Sequence, residues 1–353
     1  MSRRIETLTI AIALGASSLT GCSEDATSAA ADTAAPAPDD TVESTHTEVN
    51  DDPGEPVDVT QDADLEGDIA PPPDLSEGPD VQANVDVPDF PTAPEALGGD
   101  RPARYVLPDD YDPTKSWPVM LVLHGYGATG FIEDAYLGIS AEARTRGVIA
   151  IIPDGTVDIE GSPFWNATDA CCDFGKTGVD DVAYLTGLLD EAATYWNIDA
   201  TRTYSLGHSN GGFMSYRLAC EHGERFAGIV VLAGAMWKDG SKCPDTGKVG
   251  VLHVHGTDDD TIPYLGKSNM PAAVESAAFW AARNGCAAEK TTADPLDLDT
   301  EIAGSETQVE VFDGCPDGAE AALWTMEPGT HIPSFSGLFA KKALDFLLAQ
   351  SQP

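Results

Sequence analysis

The residues with the chemistry of a nucleophilic catalyst are a serine in a glycine-rich turn, a run of aspartates after it, and one histidine near the C-terminus. The serine is Ser209, within Gly207-His208-Ser209-Asn210-Gly211-Gly212. An apolar, β-prone run, Thr203 to Leu206, precedes it, and a helical pattern, Phe213 to Cys220, follows. Strand, tight turn and helix in that order are the context a G-x-S-x-G nucleophile elbow requires. The hydroxyl must stand exposed on a strained turn, so its neighbours must be small. The N–H groups that open the next helix have no internal partner and are free to stabilise an oxyanion. The competing reading is a Gly-rich turn that merely joins a buried strand to a helix.

A serine nucleophile needs a base, a group that orients the base, and oxyanion donors. Downstream of Ser209, the loop Gly256-Thr-Asp-Asp-Asp-Thr-Ile-Pro-Tyr264 supplies three candidate acids, Asp258, Asp259 and Asp260, and chemistry alone leaves the choice open. After Asp259 there is one histidine, His331, in the Gly/Pro loop Met326-Glu-Pro-Gly-Thr-His-Ile-Pro333. His331 would take the proton of Ser209 and later deliver it to the leaving alcohol. The backbone N–H of Asn210 and that of Tyr126, in the turn His124-Gly-Tyr-Gly127, would form the oxyanion hole. His124 and His208 flank the site as candidate substrate contacts, His253 and His255 lie on or at the end of a strand, and His222 ends a helix. No C-x-x-C or H-x-x-x-H spacing occurs, so no metal is expected, and the chemistry requires no cofactor.

The elements that must position these residues follow from periodicity. Continuous apolar runs predict strands buried on both faces at Trp117–His124, Val148–Pro153, Gly228–Leu232 and Val249–His255. Arg104–Pro108 and Ala321–Met326 read as further strands. Helical spacing covers Phe131–Arg146, Asp180–Tyr195, Ala272–Asn284 and Leu338–Leu348. Strands alternating with helices predict an α/β fold with a mostly parallel central sheet flanked by helices. In such sheets the reacting groups gather at the carboxyl ends of the strands, where His124, Ser209 and the aspartate loop all fall.

The chain has 353 residues and a net charge of −40, with no basic cluster, which excludes nucleic acid as a partner. Between Cys22 and Arg101 there is no Lys or Arg, and about half of the net charge lies there. Met1–Cys22 reads as a targeting segment: Arg3 and Arg4, an apolar stretch Leu8–Leu14, then small residues. It ends in Leu19-Thr-Gly-Cys22, which resembles a bacterial lipobox. That resemblance implies a lipid on Cys22, a membrane anchor and, in a Gram-negative bacterium, an outer-membrane address, since Ser23 rather than Asp follows; the alternative is an ordinary secretion signal with an incidental cysteine and a secreted protein. Residues 23–95, rich in Ala, Pro, Asp, Glu and Thr, read as a disordered acidic linker. The folded domain is expected over 96–353. Its six cysteines, Cys171, Cys172, Cys220, Cys243, Cys286 and Cys315, form an even set in a chain that reads as exported, which predicts three disulfides.

Several motifs together resemble one family, the extracellular esterases of the polyhydroxybutyrate-depolymerase and feruloyl-esterase type, within the α/β-hydrolases. They are Trp117 to Gly127, Trp165-Asn-Ala with Cys171-Cys172, Gly178-Val-Asp-Asp-Val182, Gly207 to Gly212 with Met214 to Cys220, His255 to Tyr264, Asn284-Gly-Cys286 and Gly329-Thr-His331. The resemblance implies an α/β-hydrolase fold and a carboxylic ester hydrolase, with Ser209 as nucleophile, Asp259 as acid and His331 as base. It implies that Cys171 and Cys172 pair with Cys220 and Cys243, in an order left open, and Cys286 with Cys315. Polyhydroxybutyrate-like, feruloyl or acetylated polysaccharide esters become the expected substrates, with Trp165 as an aromatic wall. The chain departs from the family after the histidine, where Ile332-Pro333 replaces a common Thr-Trp-Pro. The alternatives are a serine peptidase of prolyl-oligopeptidase type and a surface-binding lipoprotein without catalysis.

Overall fold

The computed structural model describes residues 89–353 apart from Asp317. The targeting segment 1–22, its lipidation site Cys22 and all of the linker up to residue 88 lie outside the described residues. The chain is tied to the domain by Pro94, whose carbonyl accepts from the hydroxyl of Tyr105 at 2.8 Å.

The strand β1 (Arg104–Val106) leads to β2 (Trp117–Leu123), in which every residue is buried. Its side chains alternate between two cores: Val119, Leu121 and Leu123 on one face of the sheet, Met120 and Val122 on the other. A continuous apolar run is what burial on both faces demands. Two helices follow where one was expected. The left-handed Gly138 (φ 65°) separates α1 (Gly130–Leu137) from α2 (Ile139–Thr145). Glycine reaches that region without a Cβ clash and so ends a helix readily.

Next come β3 (Ile149–Ile152), the short hairpin β4 (Thr156–Val157) and β5 (Pro163–Phe164), and α3 (Asp181–Tyr195). The Asp180 side chain caps α3 by accepting from the Ala183 N–H. The strand β6 (Ile198–His208) runs into α4 (Asn210–Glu221), and β7 (Gly228–Leu232) and β8 (Gly250–Gly256) complete the centre. After α5 (Ala273–Asn284) come β9 (Lys290–Leu296), β10 (Thr307–Phe312), β11 (Ala321–Met326) and α6 (Leu338–Leu348).

Among the described residues, nine strands form one sheet in the order β1-β3-β2-β6-β7-β8-β11-β10-β9. The run from β3 to β11 is parallel throughout, and the pairings of β1, β10 and β9 at the two edges are antiparallel. One core packs α3 and α4 on one face through Leu185, Leu188, Phe213 and Leu218, with Trp280 of α5 joining it. The other packs α1, α2 and α6 through Leu137, Ile139, Phe339 and Leu344. The mostly parallel sheet flanked by helices matches the expectation. The strands β9 and β10 were not anticipated: β9 is exposed along most of its length and contains Asp294 and Pro295, so it carries no apolar signal. Proline is tolerated there because β9 is an edge strand.

Candidate active site

The carboxyl ends of β2, β6, β8 and β11 carry the turns that meet at the site. At the end of β6, Ser209 has φ 52° and ψ −119°, a conformation that a residue with a side chain adopts only under strain. Although it occupies the N-cap of α4, its hydroxyl makes no capping bond. The hydroxyl is instead 3.0 Å from Nε2 of His331. The neighbouring glycines are required by backbone contact. A Cβ at Gly207 would come within 2.2 Å of the Gly211 carbonyl, and one at Gly211 within 2.0 Å of the Leu123 carbonyl.

His331 Nδ1 donates to Asp259 Oδ2 at 2.7 Å. Of the three consecutive aspartates, Asp258 and Asp260 are exposed and Asp259 is buried. Its Oδ1 accepts from the backbone N–H groups of Thr261 (2.9 Å) and Ile262 (2.7 Å), which fix the carboxylate. Burial works against ionisation of Asp259. The hydrogen bonds from His255, His331 and Ile262, with the charge of His331, outweigh it and hold the carboxyl well below the usual carboxylate range.

Across from the elbow, the turn after β2 has three successive amides. The Gly125 N–H donates to Glu133 Oε2 at 3.1 Å and the Gly127 N–H to the Pro163 carbonyl at 2.9 Å. The Tyr126 N–H between them has no acceptor among the described residues. Asn210 opens α4, so its N–H has no intrahelical partner either.

His124 and His208, expected to touch substrate, are 0% and 5% exposed. Both are corrected to supports beneath the site, because each ring is spent on internal bonds. His124 Nε2 accepts from the Gly155 N–H at 2.8 Å. Burial pushes its pKa down, which keeps that acceptor neutral. His208 Nε2 donates to the His331 carbonyl at 3.0 Å, and its Nδ1 faces Glu133 Oε1 at 3.5 Å. Burial opposes charging of His208, but the Glu133 carboxylate and the His331 carbonyl outweigh it and raise its pKa.

Trp165, expected as an aromatic wall, is 0% exposed and belongs to the core. Its backbone N–H donates to Asn210 Oδ1 at 2.7 Å, Asn210 Nδ2 donates to its carbonyl at 2.9 Å, and its indole N–H donates to the His124 carbonyl at 3.0 Å. It therefore clamps the loop after β5 to the elbow. Beside the turn after β2, two exposed aromatics meet edge-on at 5.5 Å: Tyr126, 37% exposed, and Phe174, 69% exposed. Sequence reasoning missed Phe174 because a lone Phe in a polar loop carries no periodic signal.

The disulfides also differ. Cys171 and Cys172 bond to each other rather than to Cys220 and Cys243, which form their own bridge. Cys220 and Cys243 are already joined to each other, which leaves Cys171 and Cys172 only one another as partners. The Cys286–Cys315 bridge is as expected.

Residues 94–313 match the family model described as "Putative esterase". The "Putative esterase NocK" of Nocardia uniformis subsp. tsuyamanensis is 32% identical over 155 residues, which is 44% of this chain and 44% of that protein. Feruloyl esterase C of Emericella nidulans is 28% identical over 224 residues, 60% of this chain and 71% of that protein. Feruloyl esterase D of Neurospora crassa is 23% identical over 241 residues, 65% and 72% of the two. The chain thus spans about half the length of the first of these relatives and more of the other two. Among solved structures, the acetyl xylan esterase from Aspergillus awamori superposes with a TM-score of 0.50 at 14% identity, over 72% of this chain and 96% of that one. This likeness is one of fold: the chain has the α/β-hydrolase fold.

Proposed function

Because the chain belongs to the esterase family, we propose that it hydrolyses carboxylic esters through an acyl-enzyme on Ser209. The observation that carries this reading is the unbroken run of hydrogen bonds from Ser209 Oγ to His331 Nε2 (3.0 Å) and from His331 Nδ1 to Asp259 Oδ2 (2.7 Å).

Ser209 Oγ attacks the ester carbonyl carbon while His331 Nε2 takes its proton. The ionised Asp259 stabilises the imidazolium and holds the ring with Nε2 toward the serine. The tetrahedral oxyanion accepts hydrogen bonds from the N–H groups of Tyr126 and Asn210; loss of one such donor typically costs about 10²–10³ in turnover. Collapse expels the alcohol, which leaves with the proton held on His331 Nε2. Water then attacks the acyl carbonyl with His331 again as base, and Ser209 leaves with that proton. Every step is acid–base and covalent chemistry of these side chains.

For the substrate, we favour an ester whose acyl group is aromatic, of the feruloyl kind. This is supported by the exposed Phe174 set edge-on against Tyr126, the proposed oxyanion residue. Hydroxybutyrate and acetylated sugar esters are the competing substrates. The three disulfides support an oxidising, extracytoplasmic compartment. The lipid anchor on Cys22 and an acidic tether over 23–95 complete the proposal: an esterase held at a membrane surface and acting outside the cytoplasm.

The test is the initial rate of the purified protein and its Ser209→Ala variant on a short-chain nitrophenyl ester, methyl ferulate, an acetylated xylo-oligosaccharide and a hydroxybutyrate oligomer. Turnover by the wild type alone is expected, with methyl ferulate the best substrate. A folded wild type that turns over no ester overturns the reading, and a preference for the acetyl or hydroxybutyrate ester overturns the substrate assignment.

A further inference from the structure

We infer that His255 is a positioning residue for Asp259, held in one tautomer by a buried chain of hydrogen bonds that starts at Tyr216. The inference rests on the assignment of Ser209, His331 and Asp259 made above.

His255 and His253 are two polar residues on β8, a strand otherwise buried among apolar side chains. Alternation along the strand puts them on the same face as Val251, toward α4 and α5. Trp280 of α5 stacks on Tyr216 at 6.3 Å, and Tyr264 meets the His255 ring edge-on at 5.7 Å. Tyr216 and His253 are 0% exposed and His255 is 1% exposed.

The direction of the chain follows from its last member. His255 Nε2 is 2.7 Å from the Ile262 carbonyl and 3.2 Å from Asp259 Oδ2. Both partners accept only, so Nε2 must carry the hydrogen. With the His255 ring neutral, its Nδ1 accepts, and the atom facing it at 3.0 Å, His253 Nε2, donates. Burial holds His253 neutral, so its Nδ1 accepts, and the Tyr216 hydroxyl donates to it at 2.7 Å. Burial likewise keeps the Tyr216 phenol protonated. Every donor in the chain therefore points toward the acid.

The consequence lies at Asp259. Its Oδ1 is fixed by Thr261 and Ile262, while Oδ2 accepts from His331 and faces His255 Nε2 at 3.2 Å. The N–H of His255 offsets part of the negative charge that would otherwise act on His331. Without it the carboxylate keeps only its Oδ1 anchor, so Oδ2 is held less firmly toward His331, while its undiminished charge stabilises the His331 imidazolium more strongly. His331 must be neutral to act as base, so the acid limb of the rate profile moves to higher pH. The other titratable or charged groups packed around this cluster are His208 with Glu133 behind it, Tyr264, and the exposed Asp258 and Asp260, with Lys267 bonded to the Thr261 carbonyl. All of them stay in place in the variants below.

The test combines pH–rate profiles of the wild type, His255→Leu, His255→Gln and Tyr216→Phe with nitrogen-15 shifts of the labelled histidine rings. In His255→Leu, kcat is expected to fall about tenfold with KM unchanged. The acid limb of kcat/KM is expected to rise by roughly half to one pH unit. The amide of His255→Gln can donate to Asp259 and is expected to restore the wild-type limb. Tyr216→Phe shifts the limb the same way by less, and the wild-type rings read as Nε2–H tautomers at both His253 and His255. An unmoved limb in both His255→Leu and Tyr216→Phe, or an Nδ1–H tautomer at His255, overturns the inference. If His255→Leu does not fold, Tyr216→Phe and the wild-type tautomers decide. A wild type that turns over no ester defeats the esterase reading instead, while the tautomer measurement still decides the direction of the chain.

Discussion

His208 lies one residue before the nucleophile, and its Nε2 holds the backbone carbonyl of His331, the proposed base, at 3.0 Å. The two rings pack at 5.0 Å. On its other side His208 faces Glu133, whose second oxygen holds the Gly125 N–H of the oxyanion turn. One buried pair thus links the elbow, the base loop and the turn after β2.

This pair predicts a pH-dependent stability. The pKa of His208 is raised in the folded protein above its ordinary value of 6.5. A raised histidine pKa stabilises the fold fully below the unfolded value, and the contribution is lost as pH rises through the folded value. The urea midpoint of the wild type should therefore exceed that of His208→Gln most at about pH 6 and below, with the gap narrowing as the pH is raised. A gap that widens on raising the pH would contradict the charged pair.

Asp259→Asn should lower kcat by about 10³–10⁴ with little change in KM, because the base loses its orienting carboxylate. Asp258→Asn and Asp260→Asn, both at exposed positions, should leave the rate within about twofold of wild type. The carboxyl of Asp259 is depressed below its ordinary 3.8, so its stabilising charge is present above that value and is lost as pH falls through the lower folded one. Loss of the Asp259 charge is therefore expected only below the ordinary carboxylate range. Steady-state kinetics of the three variants across pH checks both points.

The disulfides should differ in what they contribute. The Cys220–Cys243 bridge spans 23 residues of sequence, and its removal as Cys220→Ala/Cys243→Ala should cost about 3 kcal/mol by loop-closure entropy. The Cys171–Cys172 bridge joins adjacent residues and closes no loop, so Cys171→Ala/Cys172→Ala should cost much less. Urea unfolding under non-reducing conditions measures both, and peptide mapping should find Cys171 and Cys172 on one unlinked peptide.

Gly211→Ala should abolish folding or activity, since its Cβ would meet the Leu123 carbonyl at 2.0 Å and neither backbone can yield without moving β2 or the elbow. Gly125→Ala is the milder change, because its Cβ would lie 3.4 Å from that of Ser209, an ordinary contact. Soluble yield and ester turnover of the two variants should separate in that order.

By itself the sequence determined what depends on local spacing. Apolar runs and helical periods yielded the parallel centre of the sheet, and Gly207 to Gly212 yielded the elbow, because a strand entering a tight turn needs small residues at fixed offsets. Chain order limited the base to His331. Tertiary structure decided what depends on residues distant in sequence approaching one another. Three adjacent aspartates have the same local chemistry; the family resemblance pointed to Asp259, and the physical reason, burial against His331 and His255, is visible only in the fold. The same holds for the direct Cys171–Cys172 bond, for Trp165 turned into the core, and for the chain from Tyr216 to His255. The edge strand β9 escaped the sequence reading for the opposite reason: it buries almost nothing, so no apolar pattern was required of it.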